Sequence, residues 1–254
     1  MTLPEASSRA ALSRRGILVL ALGSGCRKKP PLRIAAASDL VRVLPLILGS
    51  MKDDAEPPVV TYGSTGKLAT QIEHGAPFDV FLAAHERYLA PLEARGLLRP
   101  GTRRPFALGR LSLVAATPCP RDLTLSSLTD KQYARIALAN PEHAPYGAAA
   151  RQALEKAGVL SVVAPRLVFA ENVQQALMFV RSGNANAALV ARSLVEPGDV
   201  CAAAIDPSFH EPIPQAAAVT AVSGDPDRAG AIVSFLTSEA ARVLLARGGF
   251  ALPG

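Results

Sequence analysis

The sequence predicts an α/β protein of two lobes with a hinged cleft between them. Short apolar runs alternate with segments of helical spacing over the first hundred residues, and the alternation returns between residues 135 and 190. Two further apolar runs, at 107–117 and 213–223, are placed to carry the chain from one lobe to the other and back. A chain of 254 residues is long enough for two such lobes with a real core.

The first lobe begins with three strand–helix units. Strands are predicted at 32–38, 57–63 and 78–84, and helical segments follow them at 40–51, 67–74 and 86–96. Strands that alternate with helices form a parallel sheet covered on both faces. Ser38 or Asp39 is expected to begin the first of these helices.

The second lobe is predicted from a strand, loop and helix at 135–158, and from a strand, turn and helix at 166–183 with Asn172 as the N-cap. A further strand follows at 185–193, and the end of the chain is helical over 225–248. The predicted boundaries assign residues 32–110 and 217–254 to lobe 1, and residues 111–216 to lobe 2.

Residues 1–31 are predicted to be a signal peptide and a linker. A basic start containing Arg14 and Arg15 precedes a short apolar stretch and then small residues before Cys26. The paired arginines favour twin-arginine export. Gly-Ser-Gly before Cys26 resembles a bacterial lipobox, which would make Cys26 a lipidated N-terminus. The alternative is an ordinary signal peptide with an incidental cysteine.

The remaining cysteines, Cys119 and Cys201, fit either a disulfide or two unpaired thiols. The net charge of +6 is not gathered into basic runs with aromatic residues, which argues against a nucleic-acid partner. The histidines show no metal-ligand spacing and are expected on the surface or in loops. They are His74, His85, His143 and His210.

The stretch YGSTGKLATQIEHG, residues 62–75, is compatible with three chemistries. A phosphate-binding P-loop is disfavoured, because Thr61 stands where its first glycine belongs and Leu68 where a magnesium-binding hydroxyl belongs. A serine acyl-enzyme would use Ser64 and Lys67, which have the S-x-x-K spacing, but the Lys-Thr-Gly or Lys-Ser-Gly element of such enzymes is absent. The third chemistry is a binding site for an anion.

Small hydroxyl residues follow the first two strands, Ser38 after one and Ser64 and Thr65 after the next. Ligands of open α/β sheets bind at the carboxyl ends of strands, close to helix N-termini. Unpaired N–H groups there hold a compact anion without Arg or Lys, and Gly63 and Gly66 permit close approach of the backbone. The alternative is that Ser38 and Ser64 are only helix caps.

Three stretches resemble the periplasmic molybdate-binding proteins of ABC transporters. They are AAASDL at 35–40, YGSTGKLATQIEHGAPFDVFLAA at 62–84 and ANPEHAPYGAAARQAL at 139–154. The middle stretch carries the family's L-x-x-Q-I-x-x-G-A-P-x-D-V-F pattern after its hydroxyl residues, and AENVQQAL at 170–177 follows at the family's distance. The resemblance implies a type II periplasmic-binding fold and a tetrahedral dianion held by uncharged donors.

The resemblance also implies which residues hold the anion. These are Ser38, Thr65 and the backbone N–H groups of Tyr146 and Val173, with Ser64 as a further candidate. Some members add a tyrosine hydroxyl where this chain has Ala191. One donor is therefore missing, and the Tyr146 hydroxyl is a candidate replacement.

The implied function is capture of molybdate or tungstate, by closure of the lobes, for a membrane ABC permease. The resemblance implies a monomeric, periplasmic or lipid-anchored protein that performs no catalysis and carries no cofactor or resident metal. The alternatives are a binding protein for another oxyanion, such as sulfate, and the acyl-enzyme that would use Ser64 and Lys67.

Overall fold

The computed structural model describes residues 30–51, 56–198 and 200–253. The predicted signal peptide, Arg14, Arg15 and Cys26 included, therefore lies outside the described residues. Residues 31–254 form one compact unit, in which the described strands make two five-stranded sheets.

The first sheet has the strand order β2-β1-β3-β10-β4. Strands β1, β2 and β3 are parallel, and β10 runs antiparallel to both β3 and β4. The bounds are β1 Arg33–Ala37, β2 Val59–Gly63, β3 Val80–Ala83, β4 Arg104–Gly109 and β10 Ile213–Val219.

The second sheet has the order β7-β6-β8-β5-β9. Strands β6, β7 and β8 are parallel, whereas β5 runs antiparallel to its neighbours β8 and β9. The bounds are β5 Leu111–Ala115, β6 Ile136–Ala139, β7 Leu167–Ala170, β8 Ala187–Ala191 and β9 Cys201–Ala204.

Helices cover both faces of the first sheet, as the alternation of strands and helices predicts. In β1, Ile34 and Ala36 belong to one apolar core and Ala35 to another, because successive side chains of a strand point to opposite faces. The helices are α1 Leu44–Ser50, α2 Thr65–Glu73, α3 Leu89–Ala94, α4 Pro145–Lys156, α5 Leu160–Val163, α6 Val173–Arg181, α7 Pro226–Phe235 and α8 Glu239–Arg247.

The chain crosses between the two sheets at Arg110, which separates β4 from β5, and returns between β9 and β10. The predicted return at residue 216 comes too late, because all of β10 from Ile213 onward pairs with β4 or β3 of the first sheet. A bridge between Leu108 and Ala251 ties the end of the chain to the same sheet.

Two helix starts show how local sequence determines where a helix begins. The first helical segment is a short 3-10 turn over Ser38–Leu40, and α1 begins only at Leu44, next to Pro45. Proline fits the first turn of a helix because the N–H that it lacks would have no intrahelical acceptor there. Asn172 is the N-cap of α6, as predicted, and its side chain accepts a hydrogen bond from the Gln175 N–H.

A disulfide joins Cys119 to Cys201 at the start of β9, which settles the pairing that the sequence leaves open. Among the described residues, no single helix is long and apolar enough to cross a membrane; only α7 and α8 taken together, bent by 59° at their junction, reach that length and composition.

Candidate anion-binding site

The hydroxyl and backbone positions predicted from the sequence surround one pocket between the two lobes. Ser38 follows β1, Ser64 and Thr65 follow β2, and Tyr146 and Val173 lie at the starts of α4 and α6. The pocket is lined by Ala37, Ser38, Asp39, Gly63, Ser64, Thr65, Ala84, Ala144, Pro145, Tyr146, Asn172 and Val173.

Three helices begin at this pocket. Thr65 and Val173 are the first residues of α2 and α6, and Tyr146 is the second residue of α4. First-turn N–H groups have no acceptor within their own helix and lie at its positive end. Among the described residues, no Lys, Arg or His lines the pocket, so an anion would be held there by uncharged donors.

The side chains of Ser38 and Thr65 leave donors for a ligand. Ser38 is buried, and it is the first residue of the 3-10 turn, whose N-cap is Ala37 rather than Ser38 itself. The Thr65 hydroxyl accepts a hydrogen bond from the Ala84 N–H at 3.1 Å. A hydroxyl that accepts through its oxygen still has its own proton to donate. Thr65 is therefore held in position by the end of β3 while its proton stays free for an anion.

Ser64 occupies the N-cap position of α2 but makes no cap bond. Its hydroxyl donates to the carbonyl oxygen of His143 at 2.7 Å and lies 2.8 Å from Nδ1 of the same residue. The interpretation of Ser64 as a simple cap is therefore wrong, because its hydroxyl bridges the lobes. His143 lies in the turn before α4, in agreement with the expected loop position, and it is half-buried.

Further contacts close the cleft around the pocket. The Gly66 N–H donates to the His143 carbonyl oxygen at 2.9 Å, and a Cβ at Gly66 would lie 2.7 Å from that oxygen. This approach requires glycine. At the rim, Lys67 is solvent-exposed and forms an ion pair with Glu171 of the opposite lobe.

Asp39 is a buried carboxylate in the wall of the pocket, and the sequence signals it only as a helix start. Its Oδ2 accepts hydrogen bonds from the Tyr146 hydroxyl, at 3.1 Å, and from Nε2 of Gln215, while Oδ1 has no partner. The Ser193 hydroxyl donates to its main-chain oxygen at 2.8 Å. Burial raises the pKa of Asp39 to about 6, and the hydrogen bonds from Gln215 and Tyr146 oppose that rise.

The Tyr146 hydroxyl is consequently not the replacement donor that the sequence suggests. Its proton goes to Asp39, and burial, together with the charge of Asp39, raises the pKa of Tyr146 well above its usual value. Ala191 is fully buried at the end of β8, where it pairs with Leu111 and does not line the pocket.

A much larger cavity, of about 960 Å³, lies elsewhere in the described part of the chain. Its wall carries four exposed arginines, the Ser193 turn and the end of α8. Arg42 pairs with Glu196 at 2.8 Å. The other three arginines are Arg110, Arg192 and Arg247.

Comparison with known proteins first gives the class. A family model described as bacterial extracellular solute-binding protein matches residues 32–251, the span that holds both sheets and the pocket. The chain belongs to this family of bacterial extracellular solute-binding proteins.

Within the family, the chain is similar to molybdate-binding proteins. It is 33% identical to that of Azotobacter vinelandii over 92% of this chain and 97% of the relative. It is 32% identical to that of Rhodobacter capsulatus over 80% of this chain and 81% of the relative. A solved structure of the Azotobacter vinelandii periplasmic molybdate-binding protein superposes with a TM-score of 0.83 at 29% identity, covering 88% of this chain and 100% of that structure.

Proposed function

We propose that this protein captures molybdate outside the cytoplasm and delivers it to a membrane ABC permease. The observation that supports the proposal best is the pocket itself, where three helix N-termini and the hydroxyls of Ser38 and Thr65 converge. Among the described residues, no cationic side chain lines this pocket. The relatives at 33% and 32% identity are molybdate-binding proteins.

The proposed donors are the Ser38 and Thr65 hydroxyls and the N–H groups of Thr65, Tyr146 and Val173. Hydrogen bonds to a charged group contribute about 1.5–3 kcal/mol each. Several such bonds in fixed positions hold a dianion and also define its radius, because a smaller oxyanion cannot reach all of them. Tungstate, which has nearly the size of molybdate, is expected to bind as well.

Capture is proposed to proceed by closure of the two lobes about Arg110 and the β9–β10 connection. The contacts between Ser64 and His143 and between Lys67 and Glu171 join opposite sides of the cleft, and they would form as the lobes close. The permease would then recognise the closed form.

Titration calorimetry with molybdate, tungstate and sulfate tests the ligand. Molybdate and tungstate are expected to bind with similar affinity, and sulfate at least about 100-fold more weakly, equivalent to about 2.8 kcal/mol. Tighter binding of sulfate would move the assignment to the alternative oxyanion class, and absence of binding to all three would overturn the proposal.

A serine acyl-enzyme is not supported by the same residues. The Ser64 hydroxyl donates to a carbonyl oxygen, and the Lys67 ammonium is paired with Glu171, so Lys67 is not placed as a base for Ser64. We infer a binding protein without catalytic chemistry. A covalent adduct on Ser64 after treatment with an acylating probe would contradict this inference.

Export by the N-terminal segment and lipidation of Cys26 belong to the same proposal. The extracellular family and the Cys119–Cys201 disulfide support export. Mass spectrometry of the mature protein tests it, since a diacylglyceryl group on Cys26 is expected for a lipoprotein and an unmodified N-terminus for a soluble periplasmic form. A monomer is proposed, which sedimentation would check.

A further inference from the structure

Asp39 places a carboxylate in the wall of a pocket whose other features favour an anion. It adjoins Ser38, is fully buried and lines the same pocket as Thr65 and Val173. Like charges a few ångströms apart repel strongly where water is excluded. An ionised Asp39 would therefore oppose the dianion that the neighbouring donors attract.

Among the described residues, the side chains that form hydrogen bonds with Asp39 are all uncharged. Tyr146 of α4 and Gln215 of β10 donate to Oδ2, and Ser193 donates to the main-chain oxygen. Tyr146 is the one titratable partner among the described residues, and its raised pKa keeps it neutral. Arg192, in the same turn as Ser193, is exposed and lines the larger cavity described above.

Within the described part of the chain, no cation therefore offsets the charge of Asp39, and Oδ1 has no hydrogen-bond partner. A proton on Oδ1 would remove the charge and at the same time supply an O–H donor. The rise in the pKa of Asp39 to about 6, which burial causes without any contribution from a charged side chain, agrees with this geometry.

The contacts of Asp39 also depend on closure of the cleft. Asp39 and Gln215 belong to the lobe of the first sheet, whereas Tyr146 and Ser193 come from the lobe of the second. When the lobes separate, water reaches the carboxylate and its ionised form is stabilised again. The environment that favours the proton is complete only in the closed form.

We propose that Asp39 takes up a proton from solution when the cleft closes on its anion. The proton adds to a carboxylate oxygen and converts –COO⁻ to –COOH, and no bond of the anion is broken. The inference rests on the proposed function. It assigns Asp39 a role in binding that makes the affinity for a dianion fall as the pH rises.

Calorimetric titration of the full chain with molybdate, at about pH 6, 7 and 8 and in two buffers of different ionisation enthalpy, tests the proposal. The bound dianion is expected to raise the pKa of Asp39 further above about 6, because like charges repel. We therefore expect the wild-type protein to take up as much as about one proton per molybdate and its Kd to rise by up to about tenfold per pH unit. Asp39→Asn should take up none and show a flat pH profile. The matched control Glu142→Gln, which alters an exposed carboxylate beside the cleft, should behave as the wild type.

Molybdate binding by the wild type without proton uptake would overturn the proposal, as would an Asp39→Asn protein that keeps the wild-type proton uptake. If that variant does not fold, Tyr146→Phe serves instead. It removes a hydrogen bond that favours the ionised carboxylate, so the pH profile should move to higher pH, and an unmoved profile would count against the proposal. If the wild-type protein fails to bind molybdate at every pH, the proposed function fails and the inference with it.

Discussion

Two concave regions of this molecule attract anions by different means. The pocket between the lobes has no cationic side chain among its described residues and is built from helix N-termini and hydroxyls. The larger cavity is lined by four exposed arginines. The two regions are close neighbours, since Ser193 lines the cavity and donates to Asp39 of the pocket.

The difference indicates how a protein can select an anion by size. Arginine side chains are long and adjust to whatever anion arrives, whereas backbone N–H groups at helix ends stay in place. Fixed dipoles suit a site that must recognise one radius, and a cluster of mobile charges mainly raises the local concentration of anions. If this comparison is correct, substitutions in the pocket and around it change affinity far more than substitutions in the cavity.

The largest effect is expected from Gly66→Ala. The new Cβ would lie 2.7 Å from the His143 carbonyl oxygen in the closed form, so it would hold the lobes apart. We expect molybdate affinity to fall by more than about 100-fold, measured by calorimetry, while the melting temperature without ligand changes little.

Gly49→Ala is the matched control for this substitution, because Gly49 also lies in a helix and nothing comes within 4 Å of its added Cβ. It should bind molybdate like the wild type. Normal affinity in Gly66→Ala would mean that binding does not need the closed contact.

Thr65→Val should have the next largest effect. It keeps the shape of the side chain but removes the hydroxyl that receives the Ala84 N–H and has a proton left for the anion. Loss of one hydrogen bond to a charged ligand, about 1.5–3 kcal/mol, predicts affinity reduced by about 10- to 100-fold in calorimetric titration. Thr70→Val, on the exposed face of the same helix, is the control and should change affinity little.

The sequence predicts the fold well because the fold depends on local patterns. The apolar runs that form β1 and β3 are largely buried, and the N-cap of α6 at Asn172 is encoded within a few residues. The start of α2 lies at Thr65, two residues before the predicted start at residue 67. Ser38 and Thr65 could be proposed for the same reason, since each follows a strand. The roles of Tyr146 and Val173 come from the family resemblance.

The contacts between the lobes could not be predicted in this way. Ser64 and His143 are 79 residues apart, and Asp39 and Gln215 are 176 residues apart. Only the closed arrangement of the two sheets brings them together. The sequence gives one signal for the buried carboxylate, which is that Asp39 directly follows Ser38 in the first loop.

Ser64→Ala is expected to have a smaller effect than Thr65→Val. The Ser64 hydroxyl bonds to His143 across the cleft, so its removal weakens closure and leaves the proposed anion donors in place. A neutral hydrogen bond contributes about 1 kcal/mol, which predicts an affinity lower by about fivefold. A loss as large as that of Thr65→Val would show that Ser64 contacts the anion directly.

The smallest effect is expected from substitutions in the larger cavity that the arginines line. A large effect there would contradict the distinction drawn between the cavity and the pocket. The double variant Arg192→Gln and Arg247→Gln removes two exposed cations from the cavity wall. Exposed charges act at a distance only weakly at physiological salt, where the screening length is about 8 Å. We therefore expect the Kd for molybdate to change by less than about twofold at that ionic strength, with a somewhat larger change at low salt. A tenfold loss that persists at high salt would mean that the arginines hold the anion through direct contact, and that the selectivity of the site does not come from fixed backbone dipoles alone.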